Sequence, residues 1–350
     1  MAILAHCNAA GRGIHSIKFK AVNDRDKNFT KAKVAKRIEQ IDASIERYLS
    51  QLEIADRQPE ATELKRTHLK NKISRLKQEI ERMKAAGAEL AEAEDTQISR
   101  TDPDARSMQG TGKATGTVGY NVQCAVETEH HLIVAHEVTN AVNDRGQFLG
   151  MAKQAKAVLG AETMQAFADR GYYKAEEVLA CEGRGILPYV PKTQTSNNPH
   201  RGLFSGDHFI YNAKTDRYTC PAGASLTKGA VRSDRRDNID QYRNLTACLT
   251  CALKPKCTPD RVKRVKRWEH EGVLDKMQAR LDCMPDAMTI RRKTVEHAFG
   301  TLKFWMGATH FLTKTLKNVR TEMSLQVLSY NMKRTINILG IKTLMAAIAA

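Results

Sequence analysis

Apolar residues recur at alternating spacings of three and four in two stretches near the start of the chain, residues 34–52 and 69–90. This spacing places the apolar side chains on one face of a helix. Thr30 precedes the first stretch as a suitable N-cap, and Pro59 interrupts the pattern between the two stretches. We therefore predict two antiparallel helices that pack along a heptad-like seam.

The remainder of the chain alternates between short strand patterns and longer helical patterns. Strands are predicted over residues 16–22, 120–127, 131–138, 163–168 and 185–190, and helices over 144–159, 174–181, 268–281, 287–304 and 319–339. Without the helical hairpin, three strands come first, and helices and strands then alternate. This order predicts an α/β fold with a mixed sheet.

A change of composition separates residues 193–265 from their surroundings, because this stretch is polar, basic and rich in Cys, Asn, Thr and Gly. We interpret it as an inserted module. The predicted organisation has five parts, which are a remnant amino terminus with the first core strand at 1–28, a helical hairpin insertion at 29–100, the first part of the core at 101–192, a basic cysteine-rich insertion at 193–265 and a C-terminal helical part of the core at 266–350.

The 350-residue chain has a formal net charge of +17, from 56 Lys and Arg against 39 Asp and Glu. Such an excess favours a polyanionic partner, above all DNA. The alternative is a basic soluble enzyme without such a partner. No stretch is apolar enough to span a membrane, and the first residues lack a secretory signal pattern. We therefore expect no membrane partner and a cytoplasmic, DNA-associated location.

Four cysteines cluster in the polar module, as Cys248-x2-Cys251-x5-Cys257 with Cys220 upstream. Without export, clustered cysteines more often bind metal than form disulfides. Four thiolates suit a tetrahedral zinc ion, and a small module with few large apolar residues needs such a cross-link. We therefore predict structural Zn²⁺. The alternative is four reduced cysteines without a metal.

The basic stretch 261–267 follows these cysteines and includes Arg264 and Arg267, with Trp268 beside it. Such a stretch can lie along a DNA backbone and give an affinity that depends on salt concentration. The alternative is a solvated helix face. No element that could read bases is identifiable, so sequence specificity is not predicted.

The candidate chemistry centres on two carboxylates. Asp169 directly follows a predicted strand, and Glu296 lies on a predicted helix between Arg292 and Lys303. At about 100° per residue, these offsets place the three helical residues within roughly 40° of one face. A carboxylate between two cations suits a divalent metal and a phosphodiester. The alternative is an ordinary amphipathic helix with an ion pair at four-residue spacing.

These residues carry a family resemblance. Asp-Arg-Gly-Tyr at 169–172 and Arg292-x3-Glu296-x6-Lys303 resemble the motifs of bacterial insertion-sequence transposases with a DDE catalytic core. The stretches 101–106 and 119–123 are also similar, and so is Arg334. The resemblance covers nearly all of the chain from about Ile17, and it is to the branch with a cysteine-bearing insertion before the glutamate. Thr289 departs from it, where a Tyr is usual.

The resemblance implies a ribonuclease-H-like core with one Asp on the first strand, a second Asp after the fourth and a Glu on a late helix. These carboxylates would bind two Mg²⁺ (or Mn²⁺) ions that assist attack by water or a 3′-hydroxyl. It also implies the element ends and the target as DNA partners. A second copy of the chain, or a full-length transposase, is a further expected partner.

One position departs from the family. His15 stands where the first Asp belongs, and the usual segment before it is absent, which indicates amino-terminal truncation. Asp102, Asp104 and Asp144 are the considered stand-ins. We therefore expect a DDE transposase with impaired cleavage and strand transfer. The alternatives are a non-catalytic DNA-binding remnant that inhibits an intact transposase, and a metal-dependent nuclease with a different third ligand.

Overall fold

The computed structural model describes residues 11–24, 27–57, 63–92, 97–108, 116–193, 196–229 and 238–349. The chain divides into two compact units. Unit 1 comprises Met1–Ile14, Glu127–Glu129 and Arg145–Thr294, and unit 2 comprises His15–Val126, His130–Asp144 and Val295–Ala350. None of the helices in the described ranges combines the length and the apolar character that crossing a membrane requires.

Strands and helices follow one another in a mixed order. The strands are β1 (Arg12–Lys20), β2 (Asn28–Thr30), β3 (Gln97–Ser99), β4 (Arg106–Ser107), β5 (Val118–Glu127), β6 (Ile133–Thr139), β7 (Met164–Phe167), β8 (Ile186–Tyr189), β9 (Ile210–Asn212), β10 (Arg217–Thr219), β11 (Ser225–Lys228), β12 (Ile239–Arg243) and β13 (Val265–Trp268). The helices are α1 (Lys31–Arg57), α2 (Glu63–Glu92), α3 (Phe148–Leu159), α4 (Ala175–Glu182), α5 (Leu245–Leu249), α6 (Lys254–Cys257), α7 (Glu271–Cys283), α8 (Ala287–Gly300), α9 (Leu316–Leu339) and α10 (Ile341–Ala349).

The predicted mixed sheet is confirmed. Its strand order is β4-β5-β1-β7-β8, and β6 also pairs with β5. In unit 1, the start of β1 pairs parallel with β7, and β7 pairs parallel with β8. In unit 2, β5 is antiparallel to β4 and to β6. The sheet is mixed, because β4, β5 and β6 pair antiparallel whereas the start of β1, β7 and β8 pair parallel. A mixed sheet of this kind is consistent with the ribonuclease-H-like fold expected from the family resemblance.

In unit 2, α1 and α2 form the predicted antiparallel hairpin. Apolar side chains from both helices are buried along its seam, namely Ile41, Ile45, Ile73 and Ile80. Thr30 caps α1, because its Oγ1 accepts a hydrogen bond from the backbone N–H of Lys33 at 3.3 Å. The predicted break at Pro59 lies outside the described residues. A second cluster in unit 2, which includes Phe19, packs β1, β5 and β6 against α8 and α9.

In unit 1, the cysteine-rich region contains a five-stranded antiparallel sheet in the order β13-β12-β11-β10-β9. Its core is small and partly aromatic, made of Phe209, Tyr218, Leu226, Tyr242 and Val265. The sequence predicted only a polar module here. The sheet continues to Trp268, so the helix predicted from residue 268 begins instead at Glu271.

Candidate functional site

Asp169 is the second residue after β7, at the carboxyl end of a strand with parallel neighbours. Its extended backbone caps a short 3-10 turn at Arg170–Tyr172, and its Oδ1 accepts a hydrogen bond from the N–H of Gly171 at 2.9 Å. The side chain is 39% exposed. The Asp-Arg-Gly-Tyr sequence thus orients a carboxylate that solvent can reach, at a sheet edge where ligands commonly bind.

The second oxygen of this carboxylate is held by a residue that the sequence analysis did not identify. Arg291 Nη2 on α8 donates to Asp169 Oδ2 at 2.7 Å, and the arginine side chain is only 12% exposed. Both oxygens of Asp169 therefore have fixed partners. The position of Arg291, next to Arg292 on the helix of the candidate glutamate, is the one feature of the sequence that could have suggested a role at the site. Its pairing with Asp169 could not be predicted, because the two residues are 122 positions apart.

Glu296 and Arg292 lie four residues apart on α8, and both side chains are exposed. In unit 2, Val295, Ala298 and Phe299 of this helix are buried in the apolar core. This burial leaves Glu296 on the solvent-facing side. The sequence expectation that Glu296 is accessible to a ligand agrees with this exposure.

Lys303 has a different environment from the one predicted. The predicted helix 287–304 ends at Gly300, and a π-helical turn at Thr301–Trp305 follows. Because a π turn takes more residues than an α turn, the offset of 100° per residue does not extend to Lys303. Its Nζ donates to the backbone carbonyl of Lys18 at 3.2 Å and lies 4.8 Å from the centre of the Phe19 ring. Burial lowers the pKa of Lys303.

His15 occupies β1 and is half-buried. Its ring meets the Phe299 ring edge-on, with 5.5 Å between the centroids. Phe299 lies one turn after Glu296 on α8, so within unit 2 the His15 side chain packs against the helix that carries the candidate glutamate. An imidazole therefore stands at this position of the first strand.

Asp102 and Asp104, which were considered as replacements for the first catalytic Asp, form hydrogen bonds within unit 2. Asp102 is fully buried and accepts a hydrogen bond from the Tyr120 hydroxyl at 2.8 Å, and its Oδ1 accepts another from Thr315 N–H at 3.1 Å. Asp104 Oδ2 accepts a hydrogen bond from Leu316 N–H at 2.7 Å, at the start of α9. The contacts of Asp102 and Asp104 therefore indicate that each carboxylate stabilises the local structure of unit 2.

Asp144 is the centre of a polar cluster on unit 2. Its Oδ1 accepts hydrogen bonds from Asn121 at 2.8 Å and Gln123 at 2.9 Å, and it forms an ion pair with Lys18 at 3.2 Å. Burial alone would raise the pKa of Asp144, but the Asn121 hydrogen bond and the charge of Lys18 outweigh it, so the pKa lies below its ordinary value. The side chain is thus held as a carboxylate.

The four candidate zinc ligands come together in unit 1. Cys220, Cys248, Cys251 and Cys257 all line one cavity of about 280 Å³. Burial raises the pKa of Cys257; Lys263 opposes this effect and the neighbouring thiols add to it. Among the described residues, no group of three or more His, Cys, Asp or Glu is close enough to hold a metal ion. The thiols therefore share a cavity without forming a ready-made tetrahedron.

The two basic candidates after the cysteines differ from each other. Arg264 is exposed. Arg267 is committed to the module, because its Nη2 pairs with Asp275 at 2.6 Å, its Nη1 donates to the Tyr218 hydroxyl at 3.3 Å and its guanidinium lies 3.6 Å from the Tyr211 ring centre. These contacts hold the Arg267 side chain against Tyr218, Tyr211 and Asp275 within unit 1, and its contact with DNA phosphate stays a prediction.

No curated protein sequence matches the chain. Among solved structures, a similar chain is found in the "Cryo-EM structure of piggyBac transposase synaptic complex with hairpin DNA", with 8% sequence identity and a TM-score of 0.24. The similarity covers 67% of this chain and 50% of that chain. A TM-score of this size is too low to show a shared fold.

Residues 219–336 match the model of a protein family described as "Transposase DDE domain". The matched region is about a third of the chain and contains the four clustered cysteines, Glu296 and Lys303. It ends before the last helix, α10. Through residues 219–336 the chain resembles a transposase DDE domain, and this match supports a DDE transposase.

Proposed function

We propose that this protein is a DDE-type transposase of an insertion sequence, which cleaves DNA and transfers strands by metal-assisted phosphodiester chemistry. The observation that carries the proposal is the family match over residues 219–336, because that region contains Glu296 on α8. Asp169, which Arg291 holds at 2.7 Å, is the second proposed carboxylate. We propose the bacterial cytoplasm as the location and the element ends and target DNA as the substrates.

Asp169 and Glu296 are the proposed ligands for Mg²⁺ or Mn²⁺. Carboxylate oxygens are the donors that these hard cations prefer, and both side chains reach solvent. Bound metal would activate an attacking water or 3′-hydroxyl and stabilise the leaving oxygen. The chain itself orients one carboxylate, since the N–H of Gly171 and the guanidinium of Arg291 each bind one oxygen of Asp169.

Exposed cations are the proposed DNA contacts. Arg292 and Arg264 are exposed and can pair with phosphate oxygens. Lys303 uses one of its three N–H donors on the carbonyl of Lys18, which leaves two donors for a phosphate. Its depressed pKa follows from burial, and a nearby phosphate would favour the charged form again.

His15 is the reason to propose impaired chemistry. It occupies the strand position that the resemblance assigns to the first carboxylate, and its ring packs against Phe299. Imidazole is a weaker ligand for Mg²⁺ than a carboxylate oxygen is. The same residue favours a second candidate function, in which the chain binds DNA without cutting it and inhibits an intact transposase by occupying its DNA or its oligomer.

The test is a cleavage and joining assay on end-labelled DNA that spans the borders of the element encoding this chain. With Mn²⁺, we expect weak cleavage that Asp169→Asn and Glu296→Gln each abolish. Glu176→Gln is the matched control, because this exposed carboxylate on α4 has no proposed role. Binding without cleavage would favour the inhibitor. Cleavage that survives Asp169→Asn would overturn the carboxylate assignment and point to a nuclease with other ligands.

We further propose that the cysteine cavity binds a structural zinc ion. The support is that four thiols line one cavity, and that two of them, Cys220 and Cys257, pack against the small apolar core of the module. Because the thiols are not preassembled, zinc would draw the segments together and so stabilise them.

Zinc content of protein purified in reducing buffer tests this proposal. We expect about one equivalent per chain. Cys251→Ser should lose zinc and lower the melting temperature, whereas Cys283→Ser, at an exposed thiol outside the cavity, should change neither. Less than about half an equivalent in the unaltered chain would contradict a zinc site.

A further inference from the structure

The helical hairpin of unit 2 leaves an open groove along one side of its seam, with a volume of about 810 Å³. Six apolar side chains line this hairpin groove, namely Ile38, Ile45, Leu49, Leu52, Ile73 and Ile80. Leu49 is 43% exposed. Two antiparallel helices alone cannot enclose an apolar seam from both sides, so this side is open to a further element.

Charged side chains border the hairpin groove in two rows of opposite sign. On α2, exposed lysines that line the groove recur at intervals of seven residues, and they form the lysine row, Lys70, Lys77 and Lys84. On α1, exposed glutamates recur at the same interval, and they form the glutamate row, Glu39, Glu46 and Glu53. At about 100° per residue, the glutamate row lies just beyond Asp42 and Leu49 around α1, on the side away from the buried seam.

The packing of the hairpin sets the two rows at matching heights. Gly87 adjoins Val34, since a Cβ on this glycine would lie 3.6 Å from the valine side chain. Nearer the turn, Arg66 donates to the carbonyl of Ala55 at 3.2 Å. This antiparallel register places each lysine of the row within about two residues, or roughly 3 Å along the axis, of the height of one glutamate.

We propose that the hairpin groove pairs with the same groove of a second copy of the chain, so that two hairpins close into a four-helix bundle. Rotation about a two-fold axis parallel to the helices places α1 of each copy over α2 of the other at the same height. The glutamate row of each copy then faces the lysine row of the other, and the apolar side chains between the rows are enclosed. A two-fold axis across the helices would instead set like rows against each other, which is unfavourable.

The two rows also distinguish a second hairpin from other occupants of the groove. A DNA backbone, or an acidic helix of another protein, would meet the glutamate row along the groove and be repelled there. A basic helix would be repelled by the lysine row in the same way. An occupant with both rows in the opposite order satisfies both borders, and this chain carries such a pair of rows.

Pairing through the hairpin does not rest on the proposed DNA function, because the contacts that carry it involve neither DNA nor the carboxylates of the candidate site. It supplies a physical route for the second candidate function, in which this chain inhibits an intact transposase. A chain of low activity would occupy one half of the bundle while an intact copy occupies the other. That route rests on the proposed function, whereas the pairing itself does not.

Sedimentation equilibrium of the nuclease-treated chain tests the pairing, and we expect the mass of two chains at about 10 µM protein. Glu46→Lys with Glu53→Lys should raise the dissociation constant of the dimer at least about tenfold, because lysines then face lysines. Lys70→Glu with Lys77→Glu should do the same, because glutamates then face glutamates. An equimolar mixture of the two variants should pair as tightly as the unaltered chain, because opposite charges face each other again.

Arg75→Glu with Arg82→Glu is the matched control for the lysine variant. These exposed residues have the same spacing on the same helix and give the same change in charge, but they lie roughly 120–180° around α2 from the lysine row. The control should leave the dissociation constant of the dimer within about twofold of that of the unaltered chain.

The mass of one chain at about 100 µM would overturn the pairing. A dimer that the row variants leave unchanged, or that the control weakens equally, would overturn the assignment to the groove. If both row variants lose pairing and their mixture does not regain it, the facing of opposite rows is wrong. A normal dimer that neither binds nor cleaves DNA would support the pairing and overturn the proposed DNA function alone.

Discussion

Arg291 and Asp169 form the contact that best defines the candidate site, with 2.7 Å between Nη2 and Oδ2. The arginine is nearly buried and the aspartate is partly exposed, so the pair orients the carboxylate without sealing it from a ligand. Arg292, the next residue, is exposed. Two adjacent arginines on one helix therefore have different environments, since the Arg291 side chain is nearly buried and the Arg292 side chain faces solvent.

We predict that Arg291→Ala lowers the free energy of unfolding by about 1 kcal/mol. A hydrogen bond to a charged group contributes roughly 1.5–3 kcal/mol, and the partial exposure of Asp169 reduces this contribution. Urea unfolding followed by circular dichroism measures the change. The variant should also lose activity, because one oxygen of Asp169 would no longer be held.

Arg292→Ala is the matched comparison. We expect it to leave the free energy of unfolding within about 0.5 kcal/mol of the unaltered chain, as for most surface substitutions. Its effect should be on DNA, through weaker binding and a slope of affinity against salt that falls by about one phosphate contact. If both variants behave alike in both measurements, the division of tasks between the two arginines is wrong.

We predict that His15→Asp raises metal-dependent cleavage by at least about tenfold, which needs only about 1.4 kcal/mol of transition-state stabilisation. The His15 ring packs against Phe299 on the helix of Glu296, so an aspartate at residue 15 would be a further proposed carboxylate ligand in unit 2. The labelled-DNA assay with Mn²⁺ measures the gain. Asn has the size of Asp without its charge, so His15→Asn should not exceed the weak cleavage expected of the unaltered chain. Equal activity in the two variants would exclude a carboxylate effect.

Local patterns in the sequence predicted the parts of the fold that depend on local physics. The hairpin seam from Ile41 to Ile80 follows from side-chain spacing alone. The five-stranded sheet did not, because its strands have three to five residues and bury few of them, too few to show a period. Asp169 and Glu296 come from the family motif, and their role as a pair of catalytic carboxylates stays a prediction. The contact of Arg291 with Asp169 was not predicted, since a contact between residues 122 positions apart produces no periodic pattern in the sequence.

Asp144 predicts a dependence of stability on pH. Its folded pKa is lowered, so its contribution is complete above the unfolded pKa of about 3.9 and is lost as pH falls through the folded value. We therefore expect the stability of the unaltered chain to fall below about pH 4 more steeply than that of Asp144→Asn. Urea midpoints between about pH 3 and 6 measure this difference. Parallel pH profiles in the two proteins would contradict the role of the Asn121 and Lys18 contacts.

Gly119, in the stretch that resembles the family motif at 119–123, is predicted to be intolerant of any side chain. A Cβ built there would lie 1.9 Å from the Phe19 carbonyl oxygen and 3.1 Å from Lys20 Cα. Both atoms are backbone of the neighbouring strand β1, so neither can move as a flexible side chain would. Gly119→Ala should therefore destabilise the chain by about 3 kcal/mol or more, by separating β5 from β1.

Gly150 provides the matched substitution. It lies inside α3, and a Cβ there would meet nothing within 4 Å. Gly150→Ala should be neutral or stabilising by up to about 1 kcal/mol, because alanine favours helix and restricts the unfolded chain. Thermal and urea unfolding of the two variants, measured together, should thus shift in opposite directions or differ by about 3 kcal/mol or more. A Gly119→Ala variant as stable as Gly150→Ala would mean that β1 and β5 do not approach as closely as their backbones indicate.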